Sequence, residues 1–188
     1  PPSGARGVQE HLYVVVSRSA VVKERIDTLQ NAGATLEIID IPELALRNIA
    51  AQLGQDENGQ ALLYFGAERG LITLTRNATL YLARSMDIGY QQLHATPDLA
   101  DRLALELQRS MDYYDRHFQQ APISSITLCP LPEALPQLAW QLEQLTGIPV
   151  TEIKPEDIVK LREPVDAHRF AQCLLAIGAA LRTEAAQL

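Results

Sequence analysis

The sequence predicts an α/β protein, a mixed five-stranded sheet with helices on both faces, preceded by a smaller strand–helix unit. Two observations carry this. After residue 60, three strand-like runs follow one another closely, Ala61–Phe65, Gly70–Thr75 and Thr79–Arg84. Helices and strands then alternate: a helix over Leu99–Phe118, a strand over Ile123–Leu128, a helix over Pro132–Leu145, a strand over Pro149–Ile153 and a helix over Asp166–Arg182. At 188 residues, with 47% hydrophobic and 21% charged residues, the composition is globular and long enough for one large domain or two small ones.

Taken in order, the opening PPSGARG and the rest of residues 1–10 read as linker or an appended sequence. Residues 11–58 form the first unit. Leu12–Val16 is a short apolar run that predicts a strand, and Ser19 can cap a helix with Val22, Ile26 and Leu29 on one face, stopped by Gly33. Thr35–Ile39 predicts a second strand. Pro42 sits where a first helical turn tolerates it, and Leu46, Ile49, Ala50 and Leu53 make the buried stripe of a helix up to Gly54. Gln55–Gln60 is polar and predicts a linker. Two strands and two helices make a thin unit, expected to complete its sheet with residues outside this sequence or to self-associate through the Leu12–Val16 edge.

Residues 59–188 form the second unit. Asn77 and Ala78 fit a tight turn, which makes the second and third strands antiparallel neighbours. On the long helix, Leu99, Leu103, Leu107, Met111, Tyr114 and Phe118 recur at steps of three and four, with Arg102–Glu106 and Asp112–Arg116 at helical spacing on the solvent side. Leu135, Leu138, Leu142 and Leu145 form the stripe of the next helix, ended by Gly147. Asp166 caps the last, whose core residues are Phe170, Leu174, Ile177 and Leu181. Right-handed crossovers make the late strands parallel to the first, leaving the second strand antiparallel to all others. Three successive strands followed by this alternation is the order of the ribonuclease-H-like half of the actin-like ATPase fold. There, loops at the strand ends hold nucleotide phosphates or, where they have decayed, nothing.

Several function classes are disfavoured at once. A net charge of −7 argues against nucleic acid as a partner. No run approaches the roughly 20 apolar residues of a membrane span, and no signal peptide is read at the start. Cys129 and Cys173 sit in apolar surroundings, as expected of reduced, packed thiols. His11, His94, His117 and His168 lack metal-ligand spacing, and surface histidines are the simpler reading. Cys129 and His117 could suggest a nucleophile and its base, but no residue is placed to orient the base. Asp87 and Asp98 read as solvated loop carboxylates, and Trp140 as either core or part of an exposed patch.

The segments VVVSRSAVVKERIDTLQNAGATLEIIDIPELAL, ALLYFGAERGLITLTRNATLYLARSMDIG, ELQRSMDYY and LPEALPQLAWQLEQLTGIPV, in that order, resemble the PilM-like family of actin-related type IV pilus assembly proteins. Within it they resemble the biogenesis proteins of the mannose-sensitive haemagglutinin (MSHA) pilus. Arg84 and Gly89 fall on the family's arginine and glycine positions, and Glu106–Tyr114 on its long second-lobe helix. The resemblance implies an actin-like fold, with residues 11–58 part of the first lobe and 59–188 the second.

The departures from that pattern bear on chemistry. The family's second-lobe phosphate loop reads Asp-x-Gly followed by a small or hydroxyl residue, the aspartate holding metal-bound water and the glycine admitting backbone amides to the phosphates. Here Tyr64 takes the aspartate's place in a loop continuing through Gly66, Ala67 and Glu68, and Glu68 adds negative charge. The alternative for Gly66–Gly70 is a plain hairpin turn with a solvated tip. The adenosine loop, normally a glycine pair, is Cys129-Pro130; proline offers no amide and its ring blocks close approach. Only residues 90–98 lie between Gly89 and the long helix, too few for the family's nucleoside-flanking insert.

The resemblance therefore implies a non-catalytic assembly protein with no bound cofactor and no metal. It would be cytoplasmic, peripheral to the inner membrane, and bind the cytoplasmic tail of a PilN-like bitopic membrane protein, mainly through the first lobe. Homo-oligomers are compatible with it. The alternative is a nucleotide-binding actin-like ATPase or switch using ATP and Mg with unusual residues. A sugar-kinase-type enzyme of the same superfold lacks a candidate catalytic aspartate in context between Leu80 and Leu99.

Overall fold

The computed structural model describes residues 13–96 and 98–183. Its sheet contains β1 (Gln60–Phe65), β2 (Gly70–Arg76), β3 (Thr79–Met86), β4 (Ser125–Leu128) and β5 (Val150–Glu152), in the spatial order β3-β2-β1-β4-β5. β1 pairs antiparallel with β2 and β2 with β3, while β1–β4 and β4–β5 are parallel. β2 alone opposes the others in direction, as the tight turn and the crossovers require.

Alternation along the strands separates two cores. Ala61, Leu63 and Phe65 of β1 face one side with Ile72, Leu74, Ile126 and Leu128. That face is covered by α4 (Leu99–Phe118) through Leu103, Leu107, Met111 and Tyr114, and by α5 (Leu138–Thr146) through Leu138 and Leu142. Leu62, Leu71 and Cys129 face the other side, covered by α2 (Pro42–Ala50) through Leu46, Ile49 and Ala50 and by α7 (Ala167–Ala180) through Phe170 and Leu174. Two four-residue helices, α3 (Tyr90–Leu93) and α6 (Pro155–Ile158), fill the connections. Asp166 caps α7 by accepting from the Arg169 amide at 2.8 Å.

Four local expectations are corrected. Pro132–Leu145 is not one helix: α5 starts at Leu138, because Pro136 has no amide to donate and disfavours helical backbone at the residue before it. Leu145, placed in the core stripe by periodicity, is half exposed at the end of α5. Glu106 pairs with Arg84 at 2.9 Å and Arg109 at 2.8 Å, not with Arg102, and Asp112 accepts from Gln108 rather than pairing with Arg116. The stretch Gln55–Gln60 is no linker. It contains a 3₁₀ turn at Asp56–Asn58, with Asp56 and Gln60 buried.

The strands expected at Leu12–Val16 and Thr35–Ile39 are not formed over the described residues (Leu12 lies outside them). Residues 13–18 run extended into α1 (Ser19–Asn31), which buries none of its residues, and residues 34–40 return extended. A strand exists only where a neighbour satisfies its backbone groups. Here the apolar pattern is present without one: Val14, Val16 and Ile39 are exposed. Ser19 is the first residue of α1 rather than its cap, which is Arg18.

The β2–β3 turn puts two L-residues in left-handed backbone, Asn77 at φ 49° and Ala78 at φ 57°. That conformation costs an L-residue about 1–2 kcal/mol, more than the roughly 0.5–1 kcal/mol glycine loses through unfolded-chain entropy. Ala78 is exposed, so nothing packs on its methyl. Ala78→Gly is expected to raise stability by about 0.5–1 kcal/mol in urea melts.

Candidate functional site

Parallel β1 and β4 carry the loops to be judged. In open α/β sheets ligands bind beyond the carboxyl ends of parallel strands, and both Tyr64–Gly70 and Cys129-Pro130 lie there. Leu63 pairs with Leu128, so Tyr64 and Cys129 are adjacent exits from neighbouring strands, and the Cys129 amide donates to Leu63 O at 2.9 Å. The six residues singled out from sequence, Tyr64, Gly66, Ala67, Glu68, Cys129 and Pro130, are thus brought to one end of the sheet.

Their chemistry is that of a closed structural turn. Gly66 N–H donates inward to Arg69 O at 2.8 Å. The carbonyls of Gly66 and Ala67 accept from the Tyr90 and Gln91 amides at 2.8 and 3.2 Å, so the loop turns acceptors toward the start of α3. Gly89 lies flat against it, and a Cβ there would stand 2.4 Å from Ala67 O. An anion cradle instead presents several amide donors into open space. Glu68 and Arg69 project into solvent, and Arg69 Nε lies 4.0 Å from Asp87.

Tyr64 is partly buried, and its hydroxyl is held above its ordinary pKa, first by burial and then by the neighbouring Cys129 and Tyr90. Burial also pushes the Cys129 thiol well above its usual range, so it stays protonated at neutral pH. The Cys129-Pro130 turn borders a cavity of about 140 Å³, below the roughly 300 Å³ at which ligand pockets begin.

The other candidates do not assemble with these. His117 is exposed at the end of α4, stacked on Tyr113 at 3.9 Å between centroids. α4 ends near the start of β4 whereas Cys129 follows its end, so the two are not a catalytic pair. His94 meets Glu133 at 3.2 Å, His168 meets Gln172 at 2.8 Å, and His11 lies outside the described residues. No group of three metal-ligating side chains occurs among the described residues. Asp87 and Asp98 are exposed, and Trp140 is 64% exposed. No helix is long and apolar enough to cross a membrane among the described residues.

Cys129 and Cys173 are both free, the first buried and the second exposed. A thiolate is the reactive form, so a buried, protonated thiol is inert. One equivalent of thiol, Cys173, is expected to react with a thiol-specific dye in the native protein, and two after denaturation.

Sequence reasoning missed the residues that tie this body together. Asp56 accepts from the Thr75 hydroxyl at 2.7 Å and from the Ala78 amide, closing the hairpin turn onto the 3₁₀ segment. Arg76 donates to Tyr114 Oη at 3.2 Å and to the carbonyls of Ala121 and Pro122 at 2.7 and 3.1 Å, tying β2 to α4 and to the approach to β4. Arg76, next to the Asn77–Ala78 turn, was the only available signal; Asp56 lies in a separate segment.

No family model matches the chain, and no curated protein matches it. Solved structures do. A chain of a "PilM-PilN type IV pilus biogenesis complex" superposes with a TM-score of 0.67 at 18% identity, covering 88% of this chain and 58% of that one. The ethanolamine utilization protein EutJ of Carboxydothermus hydrogenoformans superposes with a TM-score of 0.52 at 13% identity, covering 89% and 62%. A Bacteroides thetaiotaomicron protein of unknown function, described as having an actin-like ATPase fold, aligns at a TM-score of 0.43 and 15% identity, covering 72% and 43%. The chain thus spans less than two thirds of the length of these proteins. At these identities the first two likenesses are ones of fold: the protein has the α/β actin-like ATPase fold.

Proposed function

We propose that this chain belongs to a non-catalytic, PilM-like assembly protein of a type IV pilus of the MSHA type. It would act in the cytoplasm at the inner membrane, where it binds the cytoplasmic tail of a PilN-like bitopic membrane protein. The observation that carries the proposal is the superposition on the PilM–PilN complex chain over 88% of the sequence, taken with the order of matching segments. One fold hosts many functions, so local chemistry must choose between a scaffold and a nucleotide switch. Tyr64 in place of a metal-orienting aspartate, inward hydrogen bonding of Gly66 and the absence of an amide at Pro130 favour the scaffold.

The test is calorimetric titration of the full-length protein with a synthetic peptide of the cognate PilN-like cytoplasmic tail. Saturable binding without nucleotide, unchanged by added Mg-ATP, is expected. Binding that appears only with Mg-ATP would favour the nucleotide switch, and no binding under either condition would remove the PilN-like partner.

A further inference from the structure

Beyond that reading, and on a different part of the molecule, we propose that the groove between the end of β3 and α4 docks an extended acidic peptide of a partner protein. The chain is acidic, with 16 Lys and Arg against 23 Asp and Glu. Yet three arginines, Arg84, Arg102 and Arg109, gather at this groove. Arg102, Leu105, Glu106 and Arg109 share one face of α4 at helical spacing, and with Arg84, Met86 and Ile88 they line a cavity of about 430 Å³.

Positive charge is in excess there. Glu106 is shared by Arg84 at 2.9 Å and Arg109 at 2.8 Å, so one carboxylate serves two guanidinium groups. The Arg102 side chain has no hydrogen-bond or ion-pair partner among the described residues. Asp87 also lines the groove, but it is 94% exposed and lies 4.0 Å from Arg69, so three guanidinium groups still face two carboxylates. The nearby carboxylates of Glu68, Asp98 and Asp101 do not line the groove. Guanidinium groups receive carboxylates in a bidentate fork, so an incoming pair of carboxylates finds donors already in place.

Two further features select a peptide over a small anion. β3 is the edge of the sheet, so its outward backbone groups have no strand partner among the described residues. An extended segment adds to such an edge through main-chain hydrogen bonds, with side chains setting specificity. Leu105 is 51% exposed beside buried Met86 and Ile88, an apolar contact for one side chain of the guest. The net charge of −7 opposes a long polyanion such as nucleic acid.

The experiment is fluorescence anisotropy with a labelled probe peptide, Asp-Glu-Leu-Asp-Val-Glu, at low salt. Saturable binding is expected, weakened at least about tenfold in Arg102→Glu/Arg109→Glu by reversal of two charge-assisted contacts. Glu106→Gln is expected to tighten binding, since it frees Arg84 and Arg109, whereas mere structural damage would weaken it. Far-UV circular dichroism checks that the exposed substitutions leave the fold intact. No saturable binding, or binding indifferent to the arginine reversal, would overturn the proposal. So would equal or tighter binding of hexaglutamate, which lacks the apolar side chain, or of single-stranded DNA or phosphatidylserine vesicles, which have no peptide backbone to pair with the strand edge.

Discussion

Gly178→Val is expected to destabilise the protein by about 3 kcal/mol, the upper end of overpacking in a close-packed interior. α2 and α7 cross with their backbones almost touching at this point. A Cβ on Gly178 would stand 2.4 Å from Ala45 O and 2.8 Å from Ala45 C. Backbone cannot swing aside as a flexible side chain can, so the helices must separate. Separation would also break the bond from Asn48 Nδ2 to Gly178 O, 2.9 Å long and buried. The second core, built on Leu46, Ile49, Phe170 and Leu174, opens with it. For a protein of this length the melting temperature should fall by about 6–12 °C. An unchanged urea midpoint would show that α2 does not pack as described.

Asp56→Ala is expected to cost a similar amount, about 3 kcal/mol, by a different route: a buried partner left unsatisfied forfeits about 1–3 kcal/mol. Asp56 is 4% exposed, and its two oxygens serve the Thr75 hydroxyl and the Ala78 amide, with Gln60 Nε2 at 3.4 Å. Alanine strands these donors at the strained turn formed by Asn77 and Ala78. Asp56→Asn retains one acceptor oxygen and should lose less, about 1–2 kcal/mol. Equal losses for the two variants in denaturant titration would point to backbone disturbance instead of hydrogen bonding.

Neither Gly178 nor Asp56 was legible in the sequence, though much of the fold around them was. Periodicity exposed α4 at its observed ends, because Leu103, Leu107, Met111 and Tyr114 repeat at helical steps and all are buried. It exposed β1, β2 and β3, because short apolar runs are bounded by turn residues. Asp56 and Arg76 were hidden, since a charged side chain buried by its partners looks like any solvated one until those partners converge from distant positions. The apolar run ending at Val16 read as a strand because pattern reports which backbone could pair, not whether a neighbour is there. The loops at Tyr64 and Cys129 leave neighbouring parallel strands, a juxtaposition that shows only once β1 and β4 are paired. The inward turning of Gly66 N–H depends on α3 and Gly89, a packing relation no local spacing encodes.

Whether this end of the sheet binds nucleotide is decided most directly by thermal unfolding of the full-length protein with Mg-ATP. A micromolar site requires about −8 kcal/mol of binding free energy. A ligand at a hundred times its dissociation constant adds about 2.7 kcal/mol to stability. With Tyr64, Glu68 and Pro130 where a metal-orienting aspartate and close-approach glycines would serve, no shift in melting temperature is expected at millimolar Mg-ATP. A shift that grows with Mg-ATP concentration and disappears on Glu68→Ala or Arg69→Ala would contradict the account and make this protein a nucleotide-dependent switch.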